Sequence, residues 1–240
     1  MKPSVQTLEV WGDLACFTRP ELKVERFSYP VITPSAARGV FDAIYLNRHR
    51  FRWQITKVEV LTSPRYIALR RNEVKGKVPA LRTVEQWRLG KRAPEPLWAD
   101  GEEETTGRTQ RQTMALKNVR YRLHAEIRPW ADYLTDLPAF EAQFRRRARN
   151  GQCVYQPYLG CREFPASFRL VEEQRPEPTE PPPDFDIGLM LYDVFDLARP
   201  GASTDDPAIS FFHATVRSGV LHVPDYDDPT VLKAPKEGPS

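Results

Sequence analysis

Long apolar runs are missing from this 240-residue chain, and its mean hydropathy is −0.55. No stretch approaches the roughly 18 apolar residues that a membrane span needs. The opening Met1-Lys2-Pro3-Ser4 leads into Val5-Gln6-Thr7-Leu8-Glu9-Val10 without the apolar core of a secretory signal, so a soluble, cytoplasmic protein without a membrane partner is expected. Cysteine is scarce: Cys16, Cys153 and Cys161 are odd in number and form no CxxC, which excludes a disulfide framework and a zinc knuckle and leaves three reduced thiols. Histidine is scarce too, with four residues, and no cluster has metal-ligand spacing; a glycine-rich phosphate loop, HExxH and GxSxG are all absent. Most common enzyme classes, and any cofactor or metal, drop out of the expectation.

What the chain does have is charge, unevenly placed. Residues 1–172 carry 30 Lys and Arg against 19 Asp and Glu, whereas residues 173–240 carry 5 against 13. A basic excess confined to one part is the sequence form of a polyanion-binding surface, because each cation that meets a phosphate releases condensed counterions. From Arg38 to Arg92 there are 14 basic and 4 acidic residues, interleaved with Tyr45, Phe51, Trp53, Tyr66 and Trp87. Cations for phosphates and rings for unpaired bases suit single-stranded RNA.

Periodicity supplies the elements. Val5 to Trp11 reads as a strand, followed by a polar loop to Pro30. Thr33 as N-cap, Pro34 at the first helical position and Ala37, Val40, Phe41 and Ile44 on one face predict a helix from Pro34 to Tyr45. Arg52 to Leu61 and Arg65 to Arg71 read as paired strands. Residues 72–112 show little periodicity and read as a long mobile excursion. The clearest strand follows, where Val119, Tyr121, Leu123, Ala125 and Ile127 alternate with Asn118, Arg120, Arg122, His124 and Glu126. A helix over Leu137 to Asn150 ends in an arginine run, and Ala166 to Val171 suggests another strand. The order predicts an α+β, ferredoxin-like (RRM-like) domain over residues 1–172 with long insertions. Residues 173–184, rich in proline, read as a linker, and residues 185–240 as a small acidic antiparallel β-subdomain with a hairpin at Ser218-Gly219 and a poorly ordered tail from Asp225.

One reaction needs neither metal nor cofactor. RNA carries its own nucleophile, so an enzyme need only hold the 2′-hydroxyl in line with the adjacent phosphate, take its proton and neutralise the phosphorane. Tyr45 at the end of the first helix and Lys117 at the start of the basic-faced strand are residues of the required kind, and His49 and His124 are available for proton transfer. Candidate RNA-binding cations are Arg38, Arg48, Arg50, Arg52, Arg70, Arg71, Arg120 and Arg122, with His124 beside them, and Arg145, Arg146, Arg147 and Arg149.

Several segments together resemble one family: Val10-Trp11-Gly12-Asp13-Leu14-Ala15-Cys16-Phe17-Thr18-Arg19-Pro20-Glu21, Lys23-Val24-Glu25-Arg26, Pro34-Ser35-Ala36-Ala37-Arg38-Gly39, Arg70-Arg71-Asn72-Glu73-Val74 and Gly160-Cys161-Arg162-Glu163-Phe164-Pro165-Ala166. They are similar to the CRISPR-associated Cas-five family of subtype I-C, the Dvulg subtype, within the RAMP superfamily. The resemblance implies an RRM-like fold and a metal-independent endoribonuclease. Such an enzyme cuts precursor CRISPR RNA within the repeat and stays on the crRNA 5′ handle beside the other Cas subunits of the type I-C complex. Double-stranded DNA is a further ligand that it admits. The family tyrosine matches Tyr45 and the family lysine matches Lys117. Where some members have a histidine next, this chain has Asn118, whose amide can hold a phosphate oxygen and cannot shuttle a proton near neutral pH. A handle-binding subunit that does not cut is the alternative this departure favours.

Overall fold

The computed structural model describes residues 2–22, 24–74, 79–94, 107–172, 184–201 and 207–233. The chain opens on strand β1 (Gln6–Ala15), in which Leu8 and Val10 are fully buried and Glu9 and Trp11 turn to the opposite face. This strand continues past the predicted Trp11, through Gly12 and Leu14, into what reads from sequence as loop. A short β2 (Arg26–Phe27) follows. Helix α1 (Pro34–Ile44) starts as the sequence predicts: the Thr33 hydroxyl accepts from the Ala36 N–H at 3.2 Å and Pro34 opens the first turn. Its apolar stripe packs Phe41 against Trp53 of β3 (Phe51–Val60), ring centroids 4.9 Å apart.

Strand β5 (Arg108–Pro129) is the longest element at 22 residues. It pairs antiparallel with β1 along one edge and with β3 along the other. Helix α3 (Leu137–Arg149) buries Phe140, Phe144 and Ala148 on the face that α1 also covers, and β6 (Ser167–Leu170) pairs with the outer edge of β1. The sheet is antiparallel in each of these pairings, and the cluster of Leu8, Val10, Tyr121, Leu123, Phe41 and Phe144 fills the space beneath the two helices.

The chain divides into two compact units, Met1–Ile67 with Met114–Ser240, and Ala68–Thr113. The second holds most of β4 (Tyr66–Val74), the helix α2 (Leu81–Arg88) and the start of β5. Residues 72–112 therefore contain regular structure that the sequence reading takes for an unstructured excursion; residues 75–78 and 95–106 lie outside the described residues.

After the expected linker, of which residues 173–183 lie outside the described residues, β7 (Phe185–Asp193), β8 (Ser210–Arg217) and β9 (Val220–His222) form an antiparallel group around a turn in which Ser218 has φ +49° and Gly219 φ +76°. They are not a sheet of their own. Lys57, Val58 and Glu59 of β3 pair with His222, Leu221 and Val220, so the sheet runs continuously in the order β10 (Leu232–Lys233), β8, β9, β3, β5, β1, β6. The expected loose tail is corrected over residues 225–233, while residues 234–240 lie outside the described residues: Tyr226 is buried, its ring packs against Tyr192, and its N–H donates to Gln54 Oε1. Among the described residues no helix is long and apolar enough to cross a membrane.

Candidate functional site

Tyr45 closes α1. Its N–H donates to the Phe41 carbonyl, and its own carbonyl accepts from Trp53 Nε1 at 3.0 Å. The ring is half-buried, 5.1 Å from Phe51, and desolvation raises the phenol above its ordinary value of 10 despite the nearby Arg50 and Arg147 guanidinium groups. At neutral pH this hydroxyl is protonated.

Lys117 and Asn118 are exposed on β5, where Lys117 pairs with Leu14 and its N–H donates to the Arg65 carbonyl at 3.0 Å. Asn118 has φ +52°, in the left-handed region that asparagine tolerates better than most residues. The structure does not bring Tyr45 and Lys117 together. Tyr45 packs on Phe51, which pairs with Pro129, twelve positions along β5 from Lys117. At about 3.3 Å per residue that is roughly 40 Å of strand.

The arginines fall into two groups. Arg38 and Arg122 are buried and answered internally. Arg38 donates to Asp193 through Nε at 2.6 Å and Nη2 at 3.0 Å, and to Asp42 through Nη1 at 2.5 Å. Burial alone would lower its pKa, but the Asp193 and Asp42 charges outweigh it and raise the value. Arg122 donates to Glu59 Oε2 at 2.7 Å, and His124 meets Glu59 Oε1 at 2.9 Å and Thr7 Oγ1 at 3.2 Å. Desolvation, helped by the Lys57 and Arg122 charges, pushes His124 down to about 4, so it is neutral at pH 7. Arg52 is held near Asp227 at 3.1 Å, Arg48 lies 3.7 Å from Asp42, and Arg149 pairs with Glu172.

The second group turns to water. Arg50, Arg70, Arg145 and Arg146 are exposed, as is Arg120, which also donates to the buried Glu9, while Arg71 and Arg147 are part-buried. Arg145 also reaches Gln6 Oε1 and Ser4 Oγ. Arg70 and Arg71 lie on β4 in the Ala68–Thr113 unit.

Two concavities border these residues. A cavity of about 930 Å³ is lined by Arg38, Asp42, Arg48, Tyr155, Tyr158 and Arg162 among others. A second, of about 350 Å³, opens on the sheet face turned away from α1 and α3 and is lined by Glu9, Trp11, Asp13, Asn118, Arg120 and Arg169 among others. Trp11 and Arg169 have no place in the sequence-based candidate set. The signal for Trp11 is the alternation itself: once Leu8 and Val10 face the core, Trp11 must share the polar face with Glu9. Arg169 carries no such signal, because only the β1–β6 pairing sets it opposite Glu9.

A model of the CRISPR-associated Cas5 proteins, in its Cas5d form, matches residues 7–224 of the chain. The chain belongs to the Cas5 family, subtype I-C. Two Cas5d relatives are named CRISPR pre-crRNA endoribonuclease. That of Mannheimia succiniciproducens is 37% identical over 225 residues, covering 91% of this chain and 94% of the relative. That of Thermus thermophilus is 38% identical over 232 residues, covering 90% of each. Among solved structures, a CRISPR-associated protein superposes with a TM-score of 0.62 at 21% identity, covering 97% and 98% of the two chains. A functionally uncharacterized protein of Streptococcus mutans superposes with a TM-score of 0.60 at 20% identity, covering 95% and 97%. These two share the Cas5 fold seen here.

Proposed function

We propose that this Cas5 chain is a pre-crRNA endoribonuclease that cuts within the CRISPR repeat and stays on the crRNA 5′ handle among the other subunits of a type I-C complex. The observation that carries the reading is the pair of Cas5d relatives, each named for that activity and aligned over nine-tenths of the chain. The strand order β6, β1, β5, β3 with α1 and α3 on one face supports a ferredoxin-like RAMP core, since this is the order a βαββαβ chain gives.

The chemistry is attack of the RNA 2′-hydroxyl on the adjacent phosphate: the O2′–P bond forms as the P–O5′ bond breaks, the 2′-hydroxyl proton passes to water and the leaving 5′-oxygen takes one from water, leaving a 2′,3′-cyclic phosphate and a 5′-hydroxyl. Lys117 stabilises the charge on the phosphorane and the Asn118 amide donates to a phosphate oxygen. Tyr45, protonated and far along β5, holds RNA rather than accepting the 2′-hydroxyl proton. Arg50, Arg120, Arg145 and Arg146 hold backbone phosphates. Lys117→Ala should slow cleavage of a labelled repeat hairpin in EDTA by about 10²–10³-fold, with most of the binding retained. A wild-type rate for that variant, or a cut that survives 2′-deoxy substitution at the scissile nucleotide, sinks the assignment.

A second reading is a handle-binding subunit that does not cut. The separation of Tyr45 from Lys117 and the amide at position 118 favour it. Wild-type protein that binds the repeat with no cut product in the same assay decides for it.

A further inference from the structure

The cavity on the polar face of the sheet is lined by Asn118 and Arg120, which the cleavage reading uses, and by Trp11, Glu9, Asp13 and Arg169, which it does not. It begins with a residue in an unusual place. Trp11 is 37% exposed, on a strand whose neighbours Leu8 and Val10 are fully buried. Directly across from it on β5 stands Arg120, and on β6 Ser167, with Arg169 opposite Glu9 one diagonal away. The Arg169 guanidinium lies 5.9 Å from the centre of the Trp11 ring, at the outer reach of a cation–π contact.

Glu9 organises the group. Its carboxylate is 2% exposed and accepts from Arg169 Nη2 at 2.8 Å on both oxygens and from Arg120 Nε at 2.7 Å. Burial would raise its pKa, but the Arg169 and Arg120 hydrogen bonds outweigh that and keep it ionised. Two guanidinium groups thus share one buried anion, and their side chains remain 50% and 41% exposed. Arg120, Arg169 and Glu9 together keep one positive charge in excess at the wall of a cavity of about 350 Å³, with an indole on another wall; the Asp13 carboxylate, which balances that charge, and the Asn118 amide stand at the rim. A flat aromatic surface, a fixed cationic pair and polar groups that can bond a base edge are the parts that bind a splayed-out nucleotide.

We propose that this cavity takes one unpaired nucleotide of the RNA, its base stacked on Trp11 and its phosphate on Arg120 and Arg169. Asp13 accepts an N–H of the base edge, and Glu9 is a positioning residue that fixes both guanidinium groups. The proposal rests on the RNA-binding reading above and adds to it the subsite and the residues that make it.

The test uses the full chain and a repeat hairpin whose unpaired flanking positions carry 2-aminopurine one at a time. With wild-type protein, fluorescence quenching is expected at one flanking position and not at its neighbours. Trp11→Ala should remove that quenching and weaken binding about 5- to 100-fold, while Trp11→Phe restores part of both. Glu9→Gln should weaken binding with quenching still centred on the same nucleotide. Thermal melts establish that each variant is folded. Wild-type protein that binds and cuts the repeat, with Trp11→Ala matching it in affinity and quenching, overturns the subsite and leaves the nuclease reading intact. Wild-type protein that neither binds nor cuts the repeat overturns the reading and the subsite with it.

Discussion

His124 shows how a residue that reads as functional in one dimension takes another part in three. Alternation puts it on the polar face of β5, beside arginines, and there it stays. What the local pattern does not carry is Glu59, 65 positions away, whose carboxylate joins His124, Arg122 and Lys57 in one cluster. The ring's pKa near 4 in the fold lies below its ordinary value of 6.5. Between those values the unfolded chain binds a proton that the folded one does not, so stability falls as pH drops through that interval; above 6.5 the ring is neutral in both states. His124→Gln should flatten this decline, by on the order of 2–3 kcal/mol between pH 7 and pH 4.5 in urea melts. An unchanged slope means that the ring titrates freely. Trp11 is the converse case. It sits in the segment that resembles the family, and alternation puts it on the polar face, but the cations beside it come from β5 and β6 and meet it only in the folded sheet.

Elements were legible where one short rule decides them. The cap Thr33-Pro34 and the stripe Ala37, Val40, Phe41 and Ile44 place α1 almost to the residue, and the helix from Leu137 is as clear. Strand β5 was legible only from Asn118, since residues 108–112 are polar on both faces and offer no alternation to read. The start of α2 has no side-chain cap to announce it. Arg38 marks the limit at this scale. Its partner Asp42 is one helical turn away and visible, but Asp193 lies 155 positions on, in β7, and that contact turns a candidate phosphate ligand into a bolt between α1 and the C-terminal strands. Arg38→Ala strands two buried carboxylates and should cost about 3–5 kcal/mol. In chemical denaturation the midpoint should fall, and RNA affinity measured where the variant is still folded should stay near wild type. A stable variant that has lost affinity would return Arg38 to the RNA surface.

For the molecule as a whole, composition separates a basic part from an acidic part, and the fold does not keep them apart. The strands after residue 184 hydrogen-bond to β3 and extend its sheet, and Met190, Phe212 and Leu221 are buried in the same apolar cluster as Leu8 and Phe41. Charge asymmetry is a property of surfaces and says little about which backbone edges meet, which is why a separate subdomain was the natural expectation. The β3–β9 ladder carries a consequence for anyone trimming the chain to its cationic portion. A version ending at residue 184 would present a raw strand margin beside uncovered Val58 and Tyr192-facing Gln54, an invitation for neighbouring copies to stitch together. Size-exclusion chromatography should find such a truncate in aggregates, and a well-behaved monomer would mean that the acidic strands are an ornament the sheet can shed.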